Sequence, residues 1–337
     1  MPSHLEIGMH FDMSILLEIS NLGVQFGTGS TPMKVIRGLS FTLKHGETLG
    51  LVGESGSGKT VSALSVLRLL PSPAGKIYSG KVLFEGIDLL TLSEEEMRKI
   101  RGKKISMVFQ DPMASLNPVQ KIGTQVGEGL GVHLGLGRNQ IKEQTRELLA
   151  MVGMPSPRIQ MDSYPHHLSG GMRQRALIAM ALACKPKLLI ADEPTTALDV
   201  TMQAKIMELT KSLREQSGMS MLWISHDLGV VAGLADRVAI MYAGAIVEEA
   251  SVRDIYQQPR HPYTIGLLRS IPELKHKLPD RLPSIKGSPP EIGDILPSQC
   301  AFYDRCDYRI DICMNESPPL RSIKGSRKVA CFLDITR

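Results

Sequence analysis

The stretch Gly53-Glu54-Ser55-Gly56-Ser57-Gly58-Lys59-Thr60 decides the fold. It fits the pattern G-x-x-x-x-G-K-[ST], in which glycines let the backbone curl until successive N–H groups point at one anion. Lys59 adds a positive charge near the outer phosphates, and the Thr60 hydroxyl suits Mg²⁺, an oxygen-seeking octahedral cation. Gly53, Ser55, Gly56, Ser57, Gly58, Lys59 and Thr60 are therefore the expected contacts to phosphate and its cation. The context on both sides agrees. Glu47-Thr48-Leu49-Gly50-Leu51-Val52 reads as a short buried strand, and Thr60 to Leu70 as a helix that Pro71 ends. A merely flexible Gly/Ser loop would have neither neighbour. The chain is expected to bind a nucleotide.

Further along, Leu168-Ser169-Gly170-Gly171-Met172 opens another helix. Ser169 can cap it, while Gly170 and Gly171 leave its first N–H groups bare, and such a helix end attracts phosphate. Following a phosphate loop, and running into Arg173-Gln174-Arg175-Ala176-Leu177-Ile178-Ala179-Met180-Ala181, this stretch resembles the signature of the ATP-binding cassette (ABC) ATPases. The resemblance implies an α/β fold: a P-loop ABC ATPase core with an antiparallel β subdomain and a helical subdomain. It also implies that ATP lies between two cassettes, each signature facing the γ-phosphate on the other's phosphate loop. Met172 stands where the family usually has Gln. That departure is mild, because the serine and glycines carry the anion binding.

Composition agrees with a soluble cassette. The 337 residues suffice for one large domain plus an appendage, and 42% hydrophobic with 22% charged residues is ordinary for a globular chain. A net charge of +5 permits contact with an anionic membrane surface but gives no case for nucleic acid, which needs a concentrated basic patch. No apolar run approaches the ~20 residues of a membrane span. Met1 to His10 lacks the features of a secretory signal, and Met13 is a possible alternative start. The expected location is the cytoplasmic face of the plasma (inner) membrane, held there by partners. In a reducing compartment the five cysteines raise the question of metal ligation rather than disulfides.

Residues 15 to about 90 alternate apolar and polar in short runs, as in Leu17-Glu18-Ile19 and Lys81-Val82-Leu83-Phe84, and suggest an antiparallel sheet beside the phosphate loop. A charged helix over Ser93 to Arg101 and a strand over Ile105 to Phe109 follow. Residues 111–167 look mostly helical, Lys142 to Met151 most clearly, and should form the helical subdomain. Lys187 to Ala191 and Met219 to Ile224 are near-continuous apolar runs, as buried parallel strands should be, and helices over Val200 to Gln216 and Leu228 to Ala235 separate strands of that α/β core. Residues 15–250 thus read as the nucleotide-binding domain. From about 251 to 337 the character changes: Pro259, Pro262, Pro272, Pro279, Pro283, Pro289, Pro290 and Pro297 forbid a long helix, which suggests a separate, small, loop-rich C-terminal appendage.

The catalytic residues follow from the resemblance. Leu188-Leu189-Ile190-Ala191-Asp192-Glu193 ends a buried strand in two carboxylates, of which Asp192 would hold Mg²⁺ and Glu193 would act as general base on water. Gln110 matches the glutamine that senses Mg²⁺ and the attacking water, and His226 the switch histidine that would contact the γ-phosphate and orient Glu193. Ala197-Leu198-Asp199 matches the loop that crosses the dimer interface, with Asp199 linking the two sites. Phe26 sits where the family stacks an aromatic on adenine, although a phenylalanine there could equally belong to the core. Every catalytic element is present, so the site should be competent.

The tail narrows the subfamily. Pro259-Arg260-His261-Pro262-Tyr263-Thr264, Ile285-Lys286-Gly287-Ser288-Pro289-Pro290 and Cys300, Cys306 and Cys313 resemble the tail of ATPase subunits from oligopeptide and dipeptide importers. The implied partners are a second, homologous ATPase subunit, two membrane permease subunits and an extracytoplasmic substrate-binding protein. With Cys331, the spacing C-x5-C-x6-C-x17-C lacks the close pairs of a zinc ribbon. Some members of the importer family hold an iron–sulfur cluster at these positions, so a [4Fe–4S] centre on Cys300, Cys306, Cys313 and Cys331 is expected, with zinc or four free thiols as the alternatives. Because the tail carries none of the catalytic motifs, hydrolysis is expected largely to survive Cys306→Ser. Cys184, on the signature helix, reads as core. Nickel, glycosides or another solute could replace peptide as cargo, since the ATPase never touches it. A soluble ABC ATPase of DNA repair or translation is the more distant alternative, disfavoured by a single set of motifs and no heptad run.

Overall fold

The computed structural model describes residues 14–29, 32–196, 198–271, 284–290, 298–323 and 325–335. The possible starts at Met1 and Met13, Ala197, and Pro272, Pro279, Pro283 and Pro297 lie outside them.

The chain opens with the hairpin β1 (Ile15–Phe26) and β2 (Met33–Lys44), then enters β3 (Thr48–Val52), which is buried at every residue. The phosphate loop leads into α1 (Lys59–Val66). This helix stops short of Leu70, because Arg68 turns into a left-handed conformation (φ +52°) and its guanidinium donates to the Leu89 and Leu92 carbonyls. The break precedes Pro71. Next come β4 (Gly75–Phe84), β5 (Ile87–Asp88), α2 (Glu94–Ile100) and β6 (Ile105–Val108). Ser93 and Glu96 form a reciprocal capping box at the start of α2, so its charged first turn satisfies its own N–H groups.

The helical region runs through α3 (Pro112–Ser115), α4 (Ile122–Leu134), α5 (Arg138–Met151), α6 (Pro157–Gln160) and the signature helix α7 (Gly170–Leu182). Helices α4 and α5 meet closely at Gly127, where a Cβ would lie 2.7 Å from Ile141. After β7 (Leu188–Asp192) come α8 (Val200–Ser217), β8 (Ser220–Ser225), α9 (Leu228–Ala232), β9 (Arg237–Tyr242) and β10 (Ala245–Ser251). The remainder holds α10 (Val252–Gln257), α11 (Pro262–Arg269), α12 (Ile312–Asn315), β11 (Arg321–Ser322) and β12 (Lys328–Val329). Pro262 takes the first position of α11, where its missing N–H costs nothing.

Two sheets result among the described residues. The antiparallel one has the order β2-β1-β4-β5, and the mixed one β11-β12-β10-β9-β3-β8-β7-β6 with parallel pairing from β9 to β6. Strands β3, β7 and β8 are buried at every residue and mostly apolar because both faces of the larger sheet are covered. On one face, Leu17, Ile36 and Phe41 of the small sheet and Val66 of α1 pack against Leu51 and Ile224. On the other, Ala179 of α7, Ile206 of α8 and Val231 of α9 pack against Trp223 and Ile240, together with Tyr263 and Phe302 of the tail. Across the boundary expected near residue 250, the chain therefore stays in one sheet and one core: β12 pairs with β10 through Glu248–Val329 and Glu249–Lys328.

Candidate active site

Strand β3 delivers the phosphate loop to the open end of the large sheet, between β8 and β9. The loop requires glycine at two places for different reasons. At Gly58, the residue before α1, φ is +102° and a Cβ would meet Ile36 at 2.5 Å; at Gly53 a Cβ would meet the Met241 carbonyl oxygen at 2.2 Å. Lys59 Nζ curls back to donate to the Gly53 (2.8 Å) and Glu54 (3.0 Å) carbonyls, and lies 3.9 Å from Glu193. Burial lowers its pKa, opposed by the charges of Glu193, Asp192 and Glu54. Ser57 Oγ is buried without a partner inside the loop, whereas Ser55 and Gly56 line its exposed side.

Strand β7 brings the carboxylates. Asp192 is only 2% exposed; its Oδ1 has no partner, and burial raises its pKa against the pull of a hydrogen bond from Thr60. An unpartnered carboxylate oxygen beside a threonine hydroxyl is the donor set of a hard cation, so these residues fit Mg²⁺. Glu193 follows with φ +45°, a strained conformation for a non-glycine residue that costs about 1–3 kcal/mol. The turn aims its carboxylate across the strand ends. There Oε2 accepts from Gln110 Nε2 (3.1 Å) and Thr196 Oγ1 (3.0 Å) and lies 3.1 Å from His226 Nδ1. Lys59, Thr60, Asp192, Glu193, Gln110 and His226, drawn from four strand ends, thus form one cluster able to hold phosphates, a cation and a water to be deprotonated.

Ser169, Gly170, Gly171, Asp199 and Phe26 share no hydrogen bond or ion pair with that cluster among the described residues. Ser169 caps α7 by accepting from Met172 N (3.4 Å), and Asp199 caps α8 by accepting from Met202 N (2.9 Å). The two helix ends touch: a Cβ on Gly171 would lie 2.2 Å from Met202. Phe26 is half-buried at the end of β1, its ring against Gly75.

Sequence reasoning missed the underside of the phosphate loop, which the tail supplies. Arg305, 6% exposed, grips both Glu54 oxygens at 2.6 and 3.0 Å, while the Glu54 N–H donates to Tyr263 Oη at 2.9 Å. Tyr242, Tyr263 and Phe302 form an aromatic box beside this pair, with ring centroids 4.6 to 5.5 Å apart. The His-Pro-Tyr stretch explains itself in the same place. Fully buried His261 accepts from Tyr263 N (3.1 Å) as the cap of α11, and burial drives its pKa down to about 3, so it stays neutral. The tail, expected as a separate appendage, thus packs directly against the phosphate loop.

Cys300, Cys306, Cys313 and Cys331 line one small cavity of about 20 Å³ beside Phe302. Burial raises the pKa of Cys300 and Cys306 to about 11 and that of Cys331 as well, each thiol also feeling its neighbours' charge. Yet no group of three or more His, Cys, Asp or Glu among the described residues is gathered closely enough to hold a metal ion, so as they stand the four cysteines fit neither the expected [4Fe–4S] centre nor zinc. Cys184 sits at the C-terminal end of the signature helix, its thiol donating to Gly129 O at 3.4 Å. No described helix is long and apolar enough to cross a membrane.

Comparison with known proteins agrees with this geometry. Residues 36–196 match the ABC transporter family, and residues 247–313 match the oligopeptide/dipeptide transporter C-terminal region. The oligopeptide transport ATP-binding protein OppD of Bacillus subtilis is 49% identical over 318 residues, covering 94% of this chain and 88% of the relative. The dipeptide transport ATP-binding protein DppD of Haemophilus influenzae is 49% identical over 316 residues, covering 94% of each chain. Among solved structures, the dimeric post-hydrolysis state of the ATP-binding cassette MJ0796 bound to ADP and Pi superposes with a TM-score of 0.64 at 28% identity, covering 70% of this chain and 99% of that one. The chain belongs to the ABC transporter family and carries the C-terminal region of its oligopeptide/dipeptide branch.

Proposed function

We propose that this chain is the ATP-hydrolysing subunit of a membrane importer of di- and oligopeptides. The observation that carries the reading is the convergence of Gln110, Thr196 and His226 on one oxygen of Glu193, beside Lys59 and the unpartnered oxygen of Asp192. Lys59 and the loop N–H groups would bind the outer phosphates of ATP. Thr60, Gln110 and Asp192 would hold Mg²⁺, which when bound neutralises charge that develops on the phosphates. Glu193 would take the proton of the attacking water, while Gln110 and His226 fix where that carboxylate points.

The separation of Ser169, Gly170 and Gly171 from the chain's own cluster supports a site completed by a second cassette, with Asp199 at the same junction and Phe26 against adenine. With no membrane-crossing helix among the described residues, the import path would belong to partner permeases at the cytoplasmic face of the membrane, served by an extracytoplasmic substrate-binding protein. Peptide cargo rests on the tail and on the relatives' names.

The four tail cysteines remain candidates for a [4Fe–4S] centre. In its favour stand their number and the one cavity they all line. A 20 Å³ cavity is only about one water across, too small for a cluster as these side chains stand.

Inverted membrane vesicles or proteoliposomes containing the cognate permease test the main reading. ATP-dependent peptide movement is expected with the parent chain and is lost with Glu193→Gln. Transport of nickel or a glycoside in place of peptide would refute the cargo assignment and leave the ATPase assignment standing.

A further inference from the structure

Among the described residues, the hydrogen bonds between the phosphate loop and the tail meet at Glu54, and by two routes. Glu54 is the first variable position of the loop. Its N–H donates to Tyr263 Oη and its carboxylate is held bidentately by Arg305, while its carbonyl accepts from Lys59. Glu54 therefore stands between the tail and the residue that meets the outer phosphates. Its charge is felt at Lys59, where it opposes the effect of burial.

Arg305 is itself fixed on every side. Its Nε donates to the Lys286 carbonyl at 3.0 Å, Nη1 also reaches Tyr242 Oη at 3.3 Å, and the guanidinium lies 5.7 and 5.9 Å from the Tyr242 and Phe302 ring centroids. A planar fork so held can define both the position and the net charge of its carboxylate partner.

We infer that Arg305 is a positioning residue for the ATP site: acting through Glu54, it sets the shape and charge of the phosphate loop and hence nucleotide affinity. Without it, the Glu54 carboxylate would stand unopposed beside a loop whose task is to bind a polyanion, and the loop would lose the anchor on its first turn. Arg305 immediately precedes Cys306, so a single side chain joins the cysteine loop to the phosphate loop. The inference rests on ATP being the ligand of this loop.

The test measures ATP dissociation constants by titration calorimetry on the full chain, together with hydrolysis at saturating ATP. Arg305→Ala should weaken ATP binding roughly 3- to 30-fold, the range of residues that act through a neighbour. Its kcat should stay within about threefold of the parent, a split that general loss of structure would not produce. Arg305→Lys, which keeps the charge but not the fork, should recover part of the affinity. In a Glu54→Ala background, which removes both acceptors of the Arg305 fork, Arg305→Ala should change affinity by less than about twofold, because its route is already cut. This pair also keeps the test decisive if Arg305→Ala alone folds poorly. Unchanged affinity in Arg305→Ala, or an equal loss in both backgrounds, overturns the inference while leaving the nucleotide site intact. A parent chain that does not bind ATP overturns the nucleotide assignment and this inference with it.

Discussion

Replacing Glu193 by Gln changes one atom of the cluster and nothing of its shape. Both side chains face the same backbone demand at φ +45°, and the Gln carbonyl oxygen can still accept from Gln110, Thr196 and His226 at the 3.0–3.1 Å now spanned by Glu193. What disappears is the ability to take a proton, together with the negative charge 3.9 Å from Lys59. General-base catalysis contributes about 10²–10⁴ in rate. At about 1.36 kcal/mol per tenfold this is ~3–5 kcal/mol of barrier, far above the effect of a slightly rearranged hydrogen bond. Binding should move the other way. Lys59 loses a competing partner, and a triphosphate meets one negative charge fewer, so ATP should bind at least as tightly. Single-turnover phosphate release with Mg²⁺, paired with calorimetric ATP titration, reads both effects. Hydrolysis within about threefold of the parent would refute Glu193 as the base. Loss of ATP binding would refute the claim that the cluster keeps its geometry.

Lys59→Ala should act oppositely, weakening ATP binding by tenfold or more, since charge-assisted bonds to phosphate are worth about 1.5–3 kcal/mol; titration calorimetry would expose an unchanged affinity. An oxygen-free preparation of the chain should be brown, and Cys306→Ser should remove the colour and the protein-bound iron; a colourless, iron-free parent with four titratable tail thiols would eliminate the cluster. Neutral His261, with its pKa lowered from 6.5 to about 3, binds a proton only when unfolded across that window. Stability should therefore be complete above about pH 6.5 and fall by up to ~1.4 kcal/mol per pH unit below it. Glu248, which accepts the His261 N–H at 2.8 Å and whose pKa burial raises, contributes with the opposite sign. The difference in urea stability between the parent and His261→Asn, which can still cap α11, isolates the histidine, and equal pH slopes for the two would contradict its buried neutrality.

Much of the ATP site was legible because its signals are local. Thr48 to Thr60 and Leu188 to Glu193 each combine a buried strand with the turn that follows it in one short window, and the strand ends bearing Gln110 and His226 follow the same rule. The end of α1 was not legible: Pro71 is a visible breaker, but the left-handed Arg68 that stops the helix is stabilised by carbonyls at 89 and 92, outside any local window. The tail's attachment was hidden for a stronger reason. Arg305 is a single basic residue in a loop without periodicity, and Glu54 sits at a variable position of the loop motif; only the fold reveals that they face one another. Tyr263 was noticed as part of a family motif, but its bond to the Glu54 N–H has no signature in sequence.

The bond between Glu54 and Arg305 joins residues 251 positions apart, and β12 closes the sheet with residues even nearer the end of the chain. During biosynthesis the phosphate loop therefore leaves the ribosome long before its support exists. At ~5–20 residues per second, Arg305 follows Glu54 by about 13–50 s. For that interval the emerging cassette holds its glycine-rich loop without the arginine that neutralises it, and long-range closure of this kind is intrinsically slow. Until the last tenth of the protein has been made, a nascent chain is therefore expected to hold nucleotide more weakly, by the same roughly 3- to 30-fold expected of Arg305→Ala.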